Sequence, residues 1–162
     1  DAHLRELRTA TRGPLRGDRC GSAKAVALIA HEGKKAELRQ FAARFRKHLE
    51  GVPIVATSTT GAMLQDEGLT VERVASGPHG GDAQIAARVV EGSIGSVIFF
   101  QDPMVSHPHQ ADISALLRLC DLHDVLLATN PATAELVVRS LPGAEEAPAA
   151  GRRGPRLAST GS

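Results

Sequence analysis

Four short segments hold most of the residues that could do acid–base or anion-binding chemistry. In "SGPHGGD" (76–82) a lone acid, Asp82, stands behind three glycines and directly ahead of a helical pattern. An acid there is a helix N-cap or first-turn acid or, if it faces a polar pocket unpaired, a general base. Taken alone the cap is the simpler reading. Yet Gly77, Gly80 and Gly81 exceed what a cap needs, and glycine lets the backbone approach a ligand closely. "ATSTTGA" (56–62) places Thr57, Ser58, Thr59 and Thr60 at a strand-to-helix junction, where hydroxyls and free backbone amides can surround an oxyanion. One hydroxyl would cap a helix. Four, with Gly61 beside them, point to a small phosphate or carboxylate. No Walker-type lysine loop or dinucleotide glycine fingerprint is present, so a nucleotide is not implied.

The other two segments add charge and imidazoles. "HEGKK" (31–35) contains His31, Glu32, Lys34 and Lys35. A lysine in the first turn of a helix opposes the helix dipole, which suggests an anionic partner. "QDPMVSHPHQAD" (101–112) brings Asp102 at an Asp-Pro turn, then His107, His109 and Asp112. With His31 these invite a metal reading, but His-Pro-His spacing does not put two imidazoles on one helical face, so no metal is expected. Neutral imidazoles at a strand edge can instead polarise a carbonyl by hydrogen bonding.

Residues so scattered along the chain need a scaffold that gathers them. Short β-type runs, "AVALIA" (25–30), "PIVAT" (53–57), "VERVA" (71–75), "SVIFF" (96–100) and "VLLAT" (125–129), alternate with helical patterns. Leu38, Phe41, Ala42, Phe45 and Leu49 share one helical face, and Leu116, Leu117, Cys120 and Leu122 are read as a second apolar stripe. Strands alternating with helices predict an α/β fold: a three-layer αβα domain around a mostly parallel five-stranded sheet, which also explains why "AVALIA" and "SVIFF" are apolar throughout. In such sheets ligands bind outside the carboxyl ends of the strands. All four segments follow a strand, as does "NPATAE" after the fifth, so the chemistry is expected on one edge.

Composition narrows the function classes. The chain has 162 residues, 42% hydrophobic content and a formal net charge of +1. That suits one domain with a buried core, and it lacks the positive field that non-specific nucleic-acid binding uses. With no Trp, no Tyr and four Phe, base-stacking platforms are not expected. Cys20 lies in a basic leader and Cys120 in a helical pattern, so no structural disulfide is expected and a reducing cytoplasm fits. No apolar run approaches the roughly 20 residues of a membrane span, and a soluble protein is expected. Residues 1–22 and the Gly/Pro/Arg-rich 142–162 read as tails around a domain at 23–141.

The order and spacing of "ALIAHEGKK", "ATSTTG", "SGPHGGDAQ", "VIFFQDPM", "PHQAD", "ALLRLC" and "ATNPATAE", from about Val26 to Val138, resemble the methylglyoxal synthase family. Related domains occur as effector-binding modules in carbamoyl phosphate synthetase and within a purine-biosynthesis enzyme. These are not expected to carry the Ser-Gly-Pro-x-Gly-Gly-Asp-x-Gln and Asp-Pro with Pro-His-x-x-Asp combination. The resemblance implies a cofactor-free lyase that converts dihydroxyacetone phosphate to methylglyoxal and inorganic phosphate. It assigns Asp82 as the base, His109 and His31 to the substrate oxygens, and Lys35, Thr57, Thr59, Thr60, Ser76 and Gly77 to the phosphate. Asp112 and Asp102 become supporting carboxylates. It further implies a homo-oligomer, a hexamer, inhibited by phosphate. A non-catalytic phosphometabolite sensor of the same fold is the alternative. Three departures stand out: Glu32 replaces the family's Asp, "HQAD" replaces a more usual His-x-Pro-Asp, and the C-terminal Arg152, Arg153 and Arg156 lie in a segment too rich in Gly and Pro to match the family's closing helix. No role is carried over to Glu32 or to these arginines.

Overall fold

The computed structural model describes residues 24–142. Both proposed tails, Cys20 and the three C-terminal arginines lie outside the described residues, apart from Pro142 at the tail's edge. Five strands, β1 (Ala25–Ala30), β2 (Ile54–Ala56), β3 (Val71–Arg73), β4 (Ile94–Phe100) and β5 (Leu126–Ala128), form one sheet in the order β3-β2-β1-β4-β5. Every neighbouring pair is parallel. The helices are α1 (Lys35–Arg44), α2 (Arg46–Leu49), α3 (Ser58–Asp66), α4 (Gly81–Glu91), α5 (Gln110–Leu122) and α6 (Pro131–Arg139), with single 3₁₀ turns at Glu32–Lys34 and Gly77–His79. The α/β expectation holds, with each strand within two residues of its predicted bounds.

The uniformly apolar strands are explained by burial on both faces. In β1, Val26, Leu28 and Ala30 enter one core cluster while Ala27 and Ile29 enter the other. In β4, Ile98 and Phe100 face the first cluster and Val97 and Phe99 the second. The period of two that would leave one face polar therefore never appears in the sequence. The first cluster is closed by Leu38, Phe41, Phe45 and Leu49 from the α1–α2 segment, and by Leu64 and Val138. The second is closed by Ile85 and Val89 of α4 and Ile113, Leu116 and Cys120 of α5. Truncating any fully buried Leu or Ile here to Ala would cost about 2–5 kcal/mol.

One predicted stripe is corrected. Leu116 and Cys120 are buried, but Leu122 is 65% exposed, because two residues beyond Cys120 lie about 200° around the helix, on the solvent side. Cys120 is a free buried thiol, pushed up to about 11 by burial and then by the Asp121 charge. No helix among the described residues is long and apolar enough to cross a membrane.

The strand order decides where a ligand can sit. From β1 the chain steps to β2 and β3 on one side, then returns past β1 to place β4 and β5 on the other. The carboxyl ends of β1 and β4 therefore diverge into a crevice, the usual ligand position of an open α/β sheet.

Candidate active site

A cavity of about 560 Å³ occupies that crevice. It is lined from four strand ends: His31, Glu32 and Lys35 after β1, Thr57 and Thr59 after β2, Ser76, Gly77, His79 and Asp82 after β3, and Asp102, His107 and His109 after β4. Nine of the eleven residues singled out from sequence thus meet in one place. Thr60 and Asp112 do not line it. Thr60 is fully buried and accepts a hydrogen bond from the Thr57 hydroxyl at 3.3 Å, so it supports the lining residue. Asp112 is half-buried in the first turn of α5, and its charge acts on Asp82.

Asp82 is not a cap. The N-cap of α4 is Gly80, and Asp82 sits in the first turn, 1% exposed, with neither carboxyl oxygen hydrogen-bonded. Its closest charged-type neighbour is His109, whose Nε2 lies 3.3 Å from Oδ2, close enough to pair but not directed as a hydrogen bond. Burial pushes the carboxyl above its ordinary value of 3.8; His109 opposes this, Asp112 adds to it, and His107 opposes it weakly. An acid with these surroundings is a stronger base than a solvated aspartate. The glycines make the placement possible. A Cβ at Gly81 would meet the Ala75 carbonyl oxygen at 2.0 Å, and one at Gly77 would meet His109 Nε2 at 3.1 Å and Asp82 Oδ2 at 3.4 Å.

His31 follows β1 directly and is 6% exposed. Its Nδ1 accepts the Asp102 backbone N–H at 2.8 Å, so in the neutral ring the proton resides on Nε2. That Nε2 is buried without a partner. Desolvation, aided by His107 and His109 and opposed by Asp102, drives the ring down to about 4, so it is neutral at physiological pH. A neutral donor held by a main-chain anchor is suited to a developing oxyanion. Asp102 serves the site through its amide, while its carboxylate Oδ1 accepts from the Met104 N–H and closes the turn.

Lys35, Thr57 and Thr59, read from sequence as part of an anion site, line the cavity. Lys35 Nζ, at the start of α1, donates to Thr59 Oγ1 at 2.7 Å and pairs with the Glu32 carboxylate. Glu32, the longer stand-in, thus steers the lysine. Thr57 is the N-cap of α3, yet its hydroxyl makes no capping bond, leaving first-turn amides available to an anion. Ser76 Oγ lies 2.7 Å from His79 Nδ1. His79 and His107 also line the cavity, though the sequence reading assigns neither a role: His79 lies unremarked among the glycines of its loop, and His107 enters only as a neighbour of His109. By contrast "NPATAE" does cap: Asn130 Oδ1 accepts the Thr133 N–H at 3.1 Å at the head of α6. Among the described residues no group of three or more His, Cys, Asp or Glu side chains is arranged to hold a metal ion.

A doubly wound parallel α/β domain with an unpartnered carboxylate, a neutral imidazole donor and a lysine–threonine pair in one cavity has the make-up of an enzyme of small phosphorylated substrates. The MGS-like domain profile matches residues 37–129, which hold the site from Thr57 to Asp112 but stop short of His31 and Lys35. Methylglyoxal synthase of Clostridium botulinum (strain Alaska E43 / Type E3) is 50% identical over 115 residues, 70% of this chain and 97% of that protein. The methylglyoxal synthase of Thermus thermophilus is 52% identical over 116 residues, 71% of this chain and 92% of that protein. The crystal structure of methylglyoxal synthase from Elizabethkingia anophelis NUHP1 superposes with a TM-score of 0.69 at 39% identity, covering 76% of this chain and 81% of that one. The chain belongs to the methylglyoxal synthase family.

Proposed function

We propose that this chain is a carbon–oxygen lyase that converts dihydroxyacetone phosphate to methylglyoxal and inorganic phosphate. The observation that carries the reading is Asp82, buried and free of hydrogen bonds in a cavity that also holds the Lys35–Thr59 pair and the His31 donor. Asp82 takes a proton from the hydroxymethyl carbon. The electron pair moves into the adjacent carbonyl, and the enediolate charge is held by the His31 Nε2–H and by His109. With the phosphate gripped by Lys35, Thr57, Thr59, Ser76 and the Gly77 backbone, the bridging C–O bond is kept out of the enediolate plane, where it overlaps the π system. That bond breaks, phosphate leaves with the pair, and the enol product tautomerises to methylglyoxal. The same grip explains selection of elimination over isomerisation. Thr60, Asp102 and Asp112 support the reacting groups through Thr57, through the His31 anchor and through the field at Asp82.

Inorganic phosphate, as product, competes for the Lys35–Thr59 grip and acts as an inhibitor. A homo-oligomer, a hexamer, in the cytoplasm is the accompanying assignment, and sedimentation velocity tests the assembly. The catalytic reading is tested by incubating purified protein with dihydroxyacetone phosphate and measuring both products. Equal release of methylglyoxal and phosphate is expected. Tight binding of the ester without phosphate release would overturn the lyase in favour of a sensor.

A further inference from the structure

His107 has no direct role in the reaction, yet it touches the residue that holds the carbonyl. Its ring lies on that of His31, centroid to centroid 3.5 Å with 21° between the planes. A second constraint on His31 is an edge contact from Phe99 at 4.9 Å, and the end-on constraint is the Asp102 amide at Nδ1. Together these contacts restrain the His31 plane. His107 Nε2 is itself buried without a partner.

We propose that His107 is a positioning residue for His31: stacked on its face, it fixes the direction of the Nε2–H and keeps a second proton off the ring. This rests on the lyase reading for its catalytic consequence, but the stacking acts on His31 whatever the substrate. The electrostatics follow from the contact. Two imidazoles face to face cannot both be protonated cheaply, and an imidazolium at His31 would carry a proton on Nδ1, where the Asp102 N–H already points. Charging the ring therefore breaks its anchor. The other groups facing His31 are Asp102 beside it, which favours the charged form, and His109 at the head of α5, 6.4 Å away, which opposes it. Asp82 on α4 and the Glu32–Lys35 pair line the same cavity. The repulsion from His107 comes second only to burial in holding the ring down to about 4.

The test compares wild type, His107→Ala and His107→Phe. The readouts are kcat and KM for dihydroxyacetone phosphate at neutral pH, and the ring-nitrogen NMR titration of His31 carried below its value of about 4. In His107→Ala, kcat falls roughly tenfold through misplacement of the donor with KM little changed. The His31 ring titration moves up from about 4 toward 6.5. In His107→Phe the flat ring is restored, so kcat recovers to within about threefold of wild type, while the His31 titration lies between the other two. A His107→Ala variant with wild-type kcat and an unmoved His31 titration overturns the proposal. If the wild type fails to release methylglyoxal, the lyase reading alone falls. The titration then decides: movement in His107→Ala supports the positioning role, and no movement overturns it.

Discussion

The two ends of the sheet carry cavities of nearly equal size, about 560 Å³ at the carboxyl edge and about 570 Å³ at the amino edge, and only one has the makings of a site. The amino-edge cavity is lined by Gly51, Val52, Thr70, Glu72, Arg88 and neighbouring strand residues. Its charged groups are satisfied: Arg88 and Glu72 bond each other, which raises the guanidinium further and lowers the carboxyl, each chiefly through that hydrogen bond. At the carboxyl edge the reverse holds. All the buried side-chain polar atoms without partners among the described residues belong to His31, Asp82, His107 and His109, which line that cavity. Volume is thus the wrong guide. Unmet hydrogen-bonding capacity in a buried place is a cost to the fold, and it persists where a ligand is to supply the partner.

That contrast is open to experiment, beginning where the largest effect is expected. Asp82→Asn keeps the shape but removes the base, and turnover should fall at least about a hundredfold with KM changed little; near-normal methylglyoxal release would remove Asp82 from the chemistry. Lys35→Met deletes a charged donor to the phosphate. KM should rise by about ten- to a hundredfold, the usual worth of a charge-assisted hydrogen bond, with a smaller change in kcat. An effect on kcat alone would move the phosphate elsewhere.

The stability of Asp82→Asn sharpens the comparison further. A carboxyl whose folded pKa is raised above 3.8 holds its proton more tightly folded than unfolded, so it lowers stability as pH rises through that window. The variant should melt about 3–5 °C above wild type at pH 7, the gap closing below pH 3.8. A variant that melts lower at pH 7 would mean the carboxylate has a native partner. Smallest of all, Arg88→Met should leave kcat and KM within about twofold and cost less than about 1 kcal/mol, since it breaks only an exposed pair. A large loss of activity would make the amino-edge cavity part of the machinery.

Much of this is legible in the order of residues. The central strands β1 and β4 declare themselves as apolar runs because both faces of the sheet are buried there, and the candidate residues because each follows a strand. Leu122 misleads because an apolar residue near a stripe looks like part of it, and only helix geometry shows which way it points. Asn130 shows the converse, a polar strand-end residue whose side chain caps a helix.

The sequence by itself determined the fold class, the edge on which chemistry sits and the residue types available there, because periodicity, turn residues and strand ends are local properties of the chain. Tertiary structure decided the rest. Whether Asp82 caps or stands unpaired, which His31 nitrogen carries the proton, and that His107 lies on His31 all depend on distances between segments up to 76 residues apart. Burial and hydrogen-bond partners are set by what the fold brings alongside, so no local pattern encodes them.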